Sequence, residues 1–182
     1  ALDIGGGNTE CAIVALNGIV IADSARVGGM ALDQAIVTYV RKKYGIVIGE
    51  ITAEEIKIRI GSAVPLDEVL AVEIQGRDHI TGLPRDAIIT SEDVSEAIDE
   101  PLEDIIAVAK SVLEKTPPEL ASDAIDRGIV LCGGGSYLRG IEKRISSSVG
   151  VPAYLTDNPI GCVAVGASRA LDLLEVMQSH LP

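Results

Sequence analysis

Two short stretches carry the residue types that bind phosphate. The first, Asp3-Ile4-Gly5-Gly6-Gly7-Asn8-Thr9-Glu10, lies between apolar runs at 1–4 and 11–16 and predicts a hairpin with an acid at the mouth of its glycine turn. Glycines there admit positive φ and let backbone N–H groups approach phosphate oxygens with no Cβ in the way. Asp3 would hold a magnesium ion, through water, because hard cations prefer oxygen ligands. Thr9 offers a hydroxyl beside the same phosphates. Taken alone, three glycines between strands are equally well explained as a sharp bend.

The second stretch shifts that balance. Residues 128–132 (Gly-Ile-Val-Leu-Cys) read as a short buried strand running into Gly133-Gly134-Gly135-Ser136 and then a helical pattern, with Tyr137 alongside. A glycine turn between strand and helix aims backbone donors and a helix N-terminus at a ligand, as in nucleotide sites of α/β folds. Neither GxGxxG nor GxxxxGK[ST] occurs, so this is not a dinucleotide fingerprint or a Walker loop.

The elements that must position these turns follow from periodicity. Apolar runs at 11–16 and 19–23 joined by Asn17-Gly18 predict an opening antiparallel meander. After Gly28-Gly29, the spacing of Leu32, Ala35, Ile36, Tyr39 and Val40 predicts a helix ending in Arg41-Lys42-Lys43, which suits its negative end. Thr52 and Glu55 predict a capping box opening a second helix that stops near Gly61. Alternation over 68–76 predicts a half-buried strand, and Gly82 and Pro84 turn the chain towards a strand at 87–89.

From Ser91 to Lys115 a long helix is predicted, with Leu102, Ile105, Ile106, Ala109, Val112 and Leu113 as its apolar stripe and Pro101 as a kink or division. Thr116-Pro117 predicts a new helix through Asp126, with Thr as cap and Pro at the first helical position. After the strand at 128–132 come a helix that follows Ser136 and runs to about Val149, a strand at 151–155 and a last helix over 160–180. This order implies an α/β fold with a mixed sheet covered by helices and an inserted lobe at 28–92.

Composition narrows the function classes. The chain has 182 residues, 47% of them apolar, as in a folded domain, and no stretch reaches the ~18 uninterrupted apolar residues of a membrane span. A net charge of −12 disfavours nucleic acid, which needs clustered Lys and Arg. Phe and Trp are absent and only Tyr39, Tyr44, Tyr137 and Tyr154 are aromatic, which removes base-stacking platforms. Cys11, Cys132 and Cys162 lack metal-ligand spacing and fit buried free thiols in a reducing cytoplasm. His79 and His180 lie far apart, so a histidine metal site or triad has no support. The chain opens on Ala1 inside a strand, as expected of part of a longer protein.

Taken in order, several segments resemble the C-terminal half of the MreB family of bacterial actins, in the actin, heat-shock chaperone and sugar-kinase superfamily. They are 3–10, Thr52-Ala53-Glu54-Glu55-Ile56-Lys57, Ile60-Gly61-Ser62-Ala63, Gly82-Leu83-Pro84-Arg85 and 113–121 running on to Asp126-Arg127-Gly128. The resemblance covers essentially the whole chain. It implies an actin-like ATPase fold in which 1–27 and 93–158 form subdomain IIA, a ribonuclease H-like core with a five-stranded type of mixed sheet. Residues 28–92 would form the small α+β subdomain IIB, and 159–182 a helix returning towards the absent subdomain IA.

On this resemblance Asp3, Gly5, Gly6, Gly7, Asn8 and Thr9 form the second phosphate loop of an ATP or ADP site, with Asp3 near magnesium. Gly133, Gly134, Gly135, Ser136 and Tyr137 form the adenosine side. Glu54 and Lys57, one helical turn apart, reach the ribose hydroxyls and the adenine; without the resemblance they read as an exposed i,i+3 ion pair. The family usually has Thr where this chain has Asn8, and a threonine of that turn is associated with positioning the attacking water. The resemblance therefore implies an intact protein that hydrolyses ATP, while this chain alone binds ATP weakly and hydrolyses it negligibly.

The implied function is a cytoplasmic filament beneath the inner membrane that guides wall synthesis and rod shape. The protein would assemble with itself and meet a membrane-anchored rod-complex partner through IIA. Two other functions compete: a small-molecule kinase of the same superfamily, which would add a sugar pocket and a catalytic base, and a non-enzymatic actin-like interaction module.

Overall fold

A computed structural model describes residues 1–16 and 18–172. It contains two sheets. The larger is built from β1 (Leu2–Ile4), β2 (Thr9–Ala15), β3 (Gly18–Ala25), β7 (Ile129–Cys132) and β8 (Ala153–Leu155), in the order β3-β2-β1-β7-β8. The first three strands are the antiparallel meander, whereas β1–β7 and β7–β8 pair in parallel. The sheet is therefore mixed. Asn17 of the predicted hairpin turn lies outside the described residues.

The smaller sheet is antiparallel, in the order β4 (Ile46–Val47), β5 (Ala71–Asp78) and β6 (Pro84–Thr90). On β5, Val72 and Ile74 are buried while Ala71, Glu73 and Gln75 face solvent, the alternation expected of a half-buried strand. Around this sheet lie α1 (Gly29–Tyr44) and α2 (Glu50–Ile60). Leu32, Ile36 and Val40 form the buried face of α1, and Gly45 ends it at φ +68° with its N–H on the Arg41 carbonyl.

The two sheets share α3 (Ser91–Lys115), which packs on β2 and β3 of the larger sheet and on α1 beside the smaller one. Its apolar stripe is buried as expected at Leu102, Ile105, Ile106, Ala109 and Val112, with Val108 added, while Leu113 is only partly covered. Each fully buried Ile or Leu contributes about 1.5–3 kcal/mol, so this stripe is the main support of the core. Pro101 does not divide the helix. The carbonyl that loses a donor belongs to Ala97, which lines an open groove where water can take the vacated bond.

Several helix starts differ from expectation. Helix α2 begins two residues before Thr52, capped by the extended backbone of Gly49, whose carbonyl receives the Ala53 N–H at 3.1 Å. Thr52 is thus inside the helix and no Thr52–Glu55 capping box forms. The capping box in the chain is at α3, where Thr90 Oγ1 accepts from Asp93 N and Asp93 Oδ2 accepts from Thr90 N at 2.8 Å. Thr116 does not cap the next helix either: its hydroxyl donates back to the Val112 carbonyl at 2.6 Å. Helix α4 (Pro118–Arg127) consequently starts with Pro118, after Pro117.

Beyond β7 the chain makes a 3₁₀ turn at Gly134–Tyr137 and passes through Gly140 at φ +73° before α5 (Ile141–Val149). The helix expected after Ser136 starts only at Ile141, because the chain first completes the 3₁₀ turn through Tyr137. Helix α6 (Cys162–Asp172) closes the described chain; the predicted helical residues 173–180 and His180 lie outside it. Among the described residues no helix is long and apolar enough to cross a membrane.

Candidate functional site

The first glycine turn is held from behind by backbone. Gly5 N–H donates to the Asn8 carbonyl at 2.9 Å and closes the loop. At the start of α1, Gly29 N–H donates to the Gly5 carbonyl at 3.0 Å and Met30 N–H to the Gly6 carbonyl at 2.9 Å. The carbonyls of Gly5, Gly6 and Asn8 are thereby engaged. The amides of Gly6, Gly7 and Asn8 donate to no backbone carbonyl among the described residues. A Cβ on Gly28 would come within 2.4 Å of the Gly5 carbonyl oxygen, so the close approach of α1 requires glycine at that position.

None of Gly5, Gly6 and Gly7 has positive φ, contrary to expectation. Their use is the missing side chain: a Cβ on Gly7 would meet nothing within 4 Å, and one on Gly6 only the Met30 sulfur at 4.0 Å. Thr9 also departs from expectation. It is fully buried and its hydroxyl donates to the Val27 carbonyl at 2.8 Å, so it fastens the end of β3 and is turned away from the turn's open face. Asn8 is exposed, with its amide Nδ2 donating to Glu10 Oε1 at 2.7 Å.

Asp3 and Glu10 face each other across β1 and β2. Partial burial, and then the charge of Glu10, raise the Asp3 carboxyl above the usual carboxylate range. Two opposed carboxylates are unfavourable unless a cation or proton lies near. Among the described residues no group of three or more His, Cys, Asp or Glu gathers as a metal cage.

The second glycine turn packs directly on the first strand. Asp3 pairs with Cys132 across the parallel β1–β7 ladder. Gly133 lies at φ +80°, and a Cβ there would sit 2.2 Å from Asp3 Oδ1 and 2.3 Å from the Ile4 carbonyl oxygen. A Cβ on Gly135 would strike Ile4 Cγ2 at 2.4 Å, whereas Gly134 is open. The Ser136 hydroxyl is 1% exposed and donates to the Gly133 carbonyl at 2.7 Å, so the side chain braces the turn and leaves only its backbone for a ligand. Tyr137 is 56% exposed.

A cleft of about 540 Å³ joins these parts: Gly5 and Gly6, Gly134, Gly135 and Tyr137, and Glu54 and Lys57 of α2 line it. Asp3, Gly7, Asn8, Thr9, Gly133 and Ser136 are not among its lining residues. A larger groove of about 810 Å³ between α1 and α3 contains neither glycine turn, so size alone does not identify the site.

Lys57 does not pair with Glu54, which is exposed. Its ammonium lies 2.8 Å from Asp33 Oδ1 and donates to the Gly29 carbonyl at 3.1 Å, at the base of the first turn. Asp33 is 6% exposed and lines the same cleft. Burial raises its carboxyl, with Lys57 acting against that rise, and Oδ1 keeps the ion pair but receives no directed hydrogen bond among the described residues. Sequence reasoning missed Asp33, because nothing local to α1 distinguishes it from a surface acid.

Such an arrangement can hold a polyanion on the first turn's amides and a flat polar group between α2 and the second turn. The family model described as MreB/Mbl protein matches residues 1–179. The cell shape-determining protein MreB of Escherichia coli (strain K12) is 46% identical over 175 residues, covering 96% of this chain and 50% of that protein. The crystal structure of MreB5 of Spiroplasma citri bound to ADP is similar with a TM-score of 0.90 and 36% identity, over 95% of this chain and 53% of that one. The same protein bound to AMPPNP gives 0.90 and 35%, over 99% and 54%. The chain spans about half the length of these relatives. A five-stranded mixed sheet with two glycine turns on adjacent strands, matched along nearly its whole length in sequence and in structure, places the chain in the MreB/Mbl family.

Proposed function

We propose that this chain is the nucleotide-holding half of an actin-like ATPase that assembles into filaments and controls cell shape. The observation that carries the reading is the single cleft in which both glycine turns meet Glu54 and Lys57, in a fold similar to MreB5 structures bound to ADP and AMPPNP. The amides of Gly6, Gly7 and Asn8 receive the β- and γ-phosphate oxygens. Gly134, Gly135 and Tyr137 border the adenosine, and Glu54 and Lys57 meet the ribose and base. Asp33 fixes the position of Lys57.

Magnesium fits the donor set. Asp3 and Glu10 present opposed hard oxygens, and a cation that keeps most of its waters needs only one or two protein carboxylates. Its chemistry there is neutralisation of phosphate charge; the residues of this chain bind and orient. In this division 1–27 and 93–158 are subdomain IIA, 28–92 is IIB and 159–182 leads back to IA. Hydrolysis depends on groups of the other half, and Asn8 stands where the family usually has a threonine.

In the full-length protein, filaments form from copies of itself beneath the inner membrane, and IIA offers the face for a membrane-anchored partner. Titration of the full-length protein with ADP and magnesium, followed by sedimentation with ATP against ADP, tests the reading. Saturable binding with ATP-dependent pelleting is expected. Failure of both would move the assignment to an interaction module, and phosphorylation of a sugar in a coupled assay would move it to a kinase.

A further inference from the structure

Two of the three cysteines are neighbours although 30 positions separate Cys132 from Cys162. Cys132 ends β7, and the backbone on either side of it is tied to the segment leading into α6: Thr156 N–H donates to the Leu131 carbonyl at 3.1 Å and Gly133 N–H to the Pro159 carbonyl at 2.9 Å. The Cys162 sulfur folds back over that same segment, donating to the Asn158 carbonyl at 3.2 Å and lying 3.2 Å from Thr156 Oγ1. The Cys132 sulfur itself donates to the Leu2 carbonyl at 3.6 Å, beside the segment 156–159 that the Cys162 sulfur covers. Burial first, then Asp3, then Cys162 push the Cys132 thiol up to about 11. Both thiols are half-buried, within reach of a small oxidant, whereas Cys11 is buried.

We propose that Cys132 and Cys162 form a dithiol that closes to an intramolecular disulfide when the protein meets a peroxide. The Cys162 sulfur attacks one peroxide oxygen; the O–O bond breaks, giving a sulfenic acid and one water. The Cys132 sulfur then attacks the sulfenic sulfur; the S–S bond forms, the S–O bond breaks, and a second water leaves with the Cys132 proton. Two thiols lose two electrons and two protons, and the peroxide takes both. Thr156 Oγ1, beside the Cys162 sulfur, can donate to it as its proton departs. In a reducing compartment such a bond is transient, which suits a reversible mark and not a structural staple.

The link would tie the segment 158–162, which carries the cleft residue Ile160, to the strand that ends in the second glycine turn. It is a modification site whether or not the cleft takes a nucleotide.

The test is peroxide treatment of the full-length protein, alkylation of remaining thiols, isolation of the monomer band on a non-reducing gel, and tryptic mapping. Cleavage after Arg127, Arg139, Arg144 and Arg169 places the two cysteines in separate peptides, 128–139 and 145–169. The expected result is a linked peptide pair about 2 Da below the sum of its reduced parts, the mass of two hydrogens. It disappears with dithiothreitol and in both C132S and C162S, and it persists in C11S. Recovery of the two peptides unlinked, whether alkylated or carried to sulfinic acid, at a dose that fully oxidises free glutathione would overturn the proposal. So would a link found only in a covalent dimer, or one joining either peptide to Cys11.

Discussion

The two glycine turns share a string of three residues and use it for opposite reasons. At Gly6 and Gly7 the space a side chain would occupy is empty, so the absence of Cβ keeps the turn's amide face open. At Gly133 and Gly135 that space is filled by β1, with contacts of 2.2–2.4 Å to Asp3 and Ile4, so the absence of Cβ lets one strand approach another. The first turn depends for its shape on a fourth glycine, Gly28, which admits the start of α1 behind it. A glycine cluster thus marks a ligand face only where its glycines border open space; where they border the fold, they align that face with the next one.

This contrast breaks most readily at Gly133. Gly133→Ala combines a positive φ with contacts too close for any Cβ, and it should cost about 3 kcal/mol or more in chemical denaturation. A cost below about 1 kcal/mol would mean that β1 and β7 can part without penalty, and the packing role would fall. Gly28→Ala meets a similar clash at 2.4 Å, but its φ of −174° carries no backbone strain. The expected loss is smaller, about 2 kcal/mol, accompanied by weakened nucleotide binding as the first turn is pushed off α1.

Much of this was legible in the sequence where the signal is local. The α3 stripe keeps a 3.6-residue period over several turns, and the meander and both glycine turns announce themselves through strand alternation and composition. Helix starts were less legible: Gly49 outcompetes Thr52, and the Thr116 hydroxyl turns back to α3, because a cap is decided by what precedes the helix in space. β4 is two residues long and has no period to detect. The directions of Thr9 and Ser136, and the pairing of Lys57 with Asp33 in place of Glu54, are tertiary outcomes between distant segments. They decide which predicted site residues face the cleft and which brace it.

The far end of α1 offers a sharper version of the same contrast, since the near end of that helix backs the first turn. Asp93 on α3 holds Lys43 by an ion pair and accepts from Tyr44 Oη at 2.6 Å while closing its own capping box. Burial works to raise its carboxyl, but Lys43, Tyr44 and Thr90 outweigh it and hold it well below the usual carboxylate range. A lowered folded value means that the contribution is present above the unfolded value of about 3.9 and is lost as pH falls through the folded one. Asp93→Asn should therefore cost about 1.5–2 kcal/mol near pH 7, and the two stability curves should converge at strongly acidic pH. A constant gap at every pH would show that shape, not charge, sets the Asp93 contribution.

The smallest stability effect should come from the first turn itself. Gly7→Ala places a methyl where no atom lies within 4 Å, at a φ that is not positive, so its unfolding free energy in chemical denaturation should change by less than about 0.5 kcal/mol. Its nucleotide affinity, measured by titration of the full-length protein with ADP and magnesium, should nevertheless fall at least about tenfold, because in the proposed site the methyl occupies the face assigned to the phosphate oxygens. Stability lost along with affinity would place Gly7 in the packing class of Gly133. Stability and affinity both retained would move the phosphates elsewhere in the cleft, towards Gly5 and Gly6. Only the pairing of unchanged stability with lost affinity distinguishes a glycine kept for a ligand from a glycine kept for the fold.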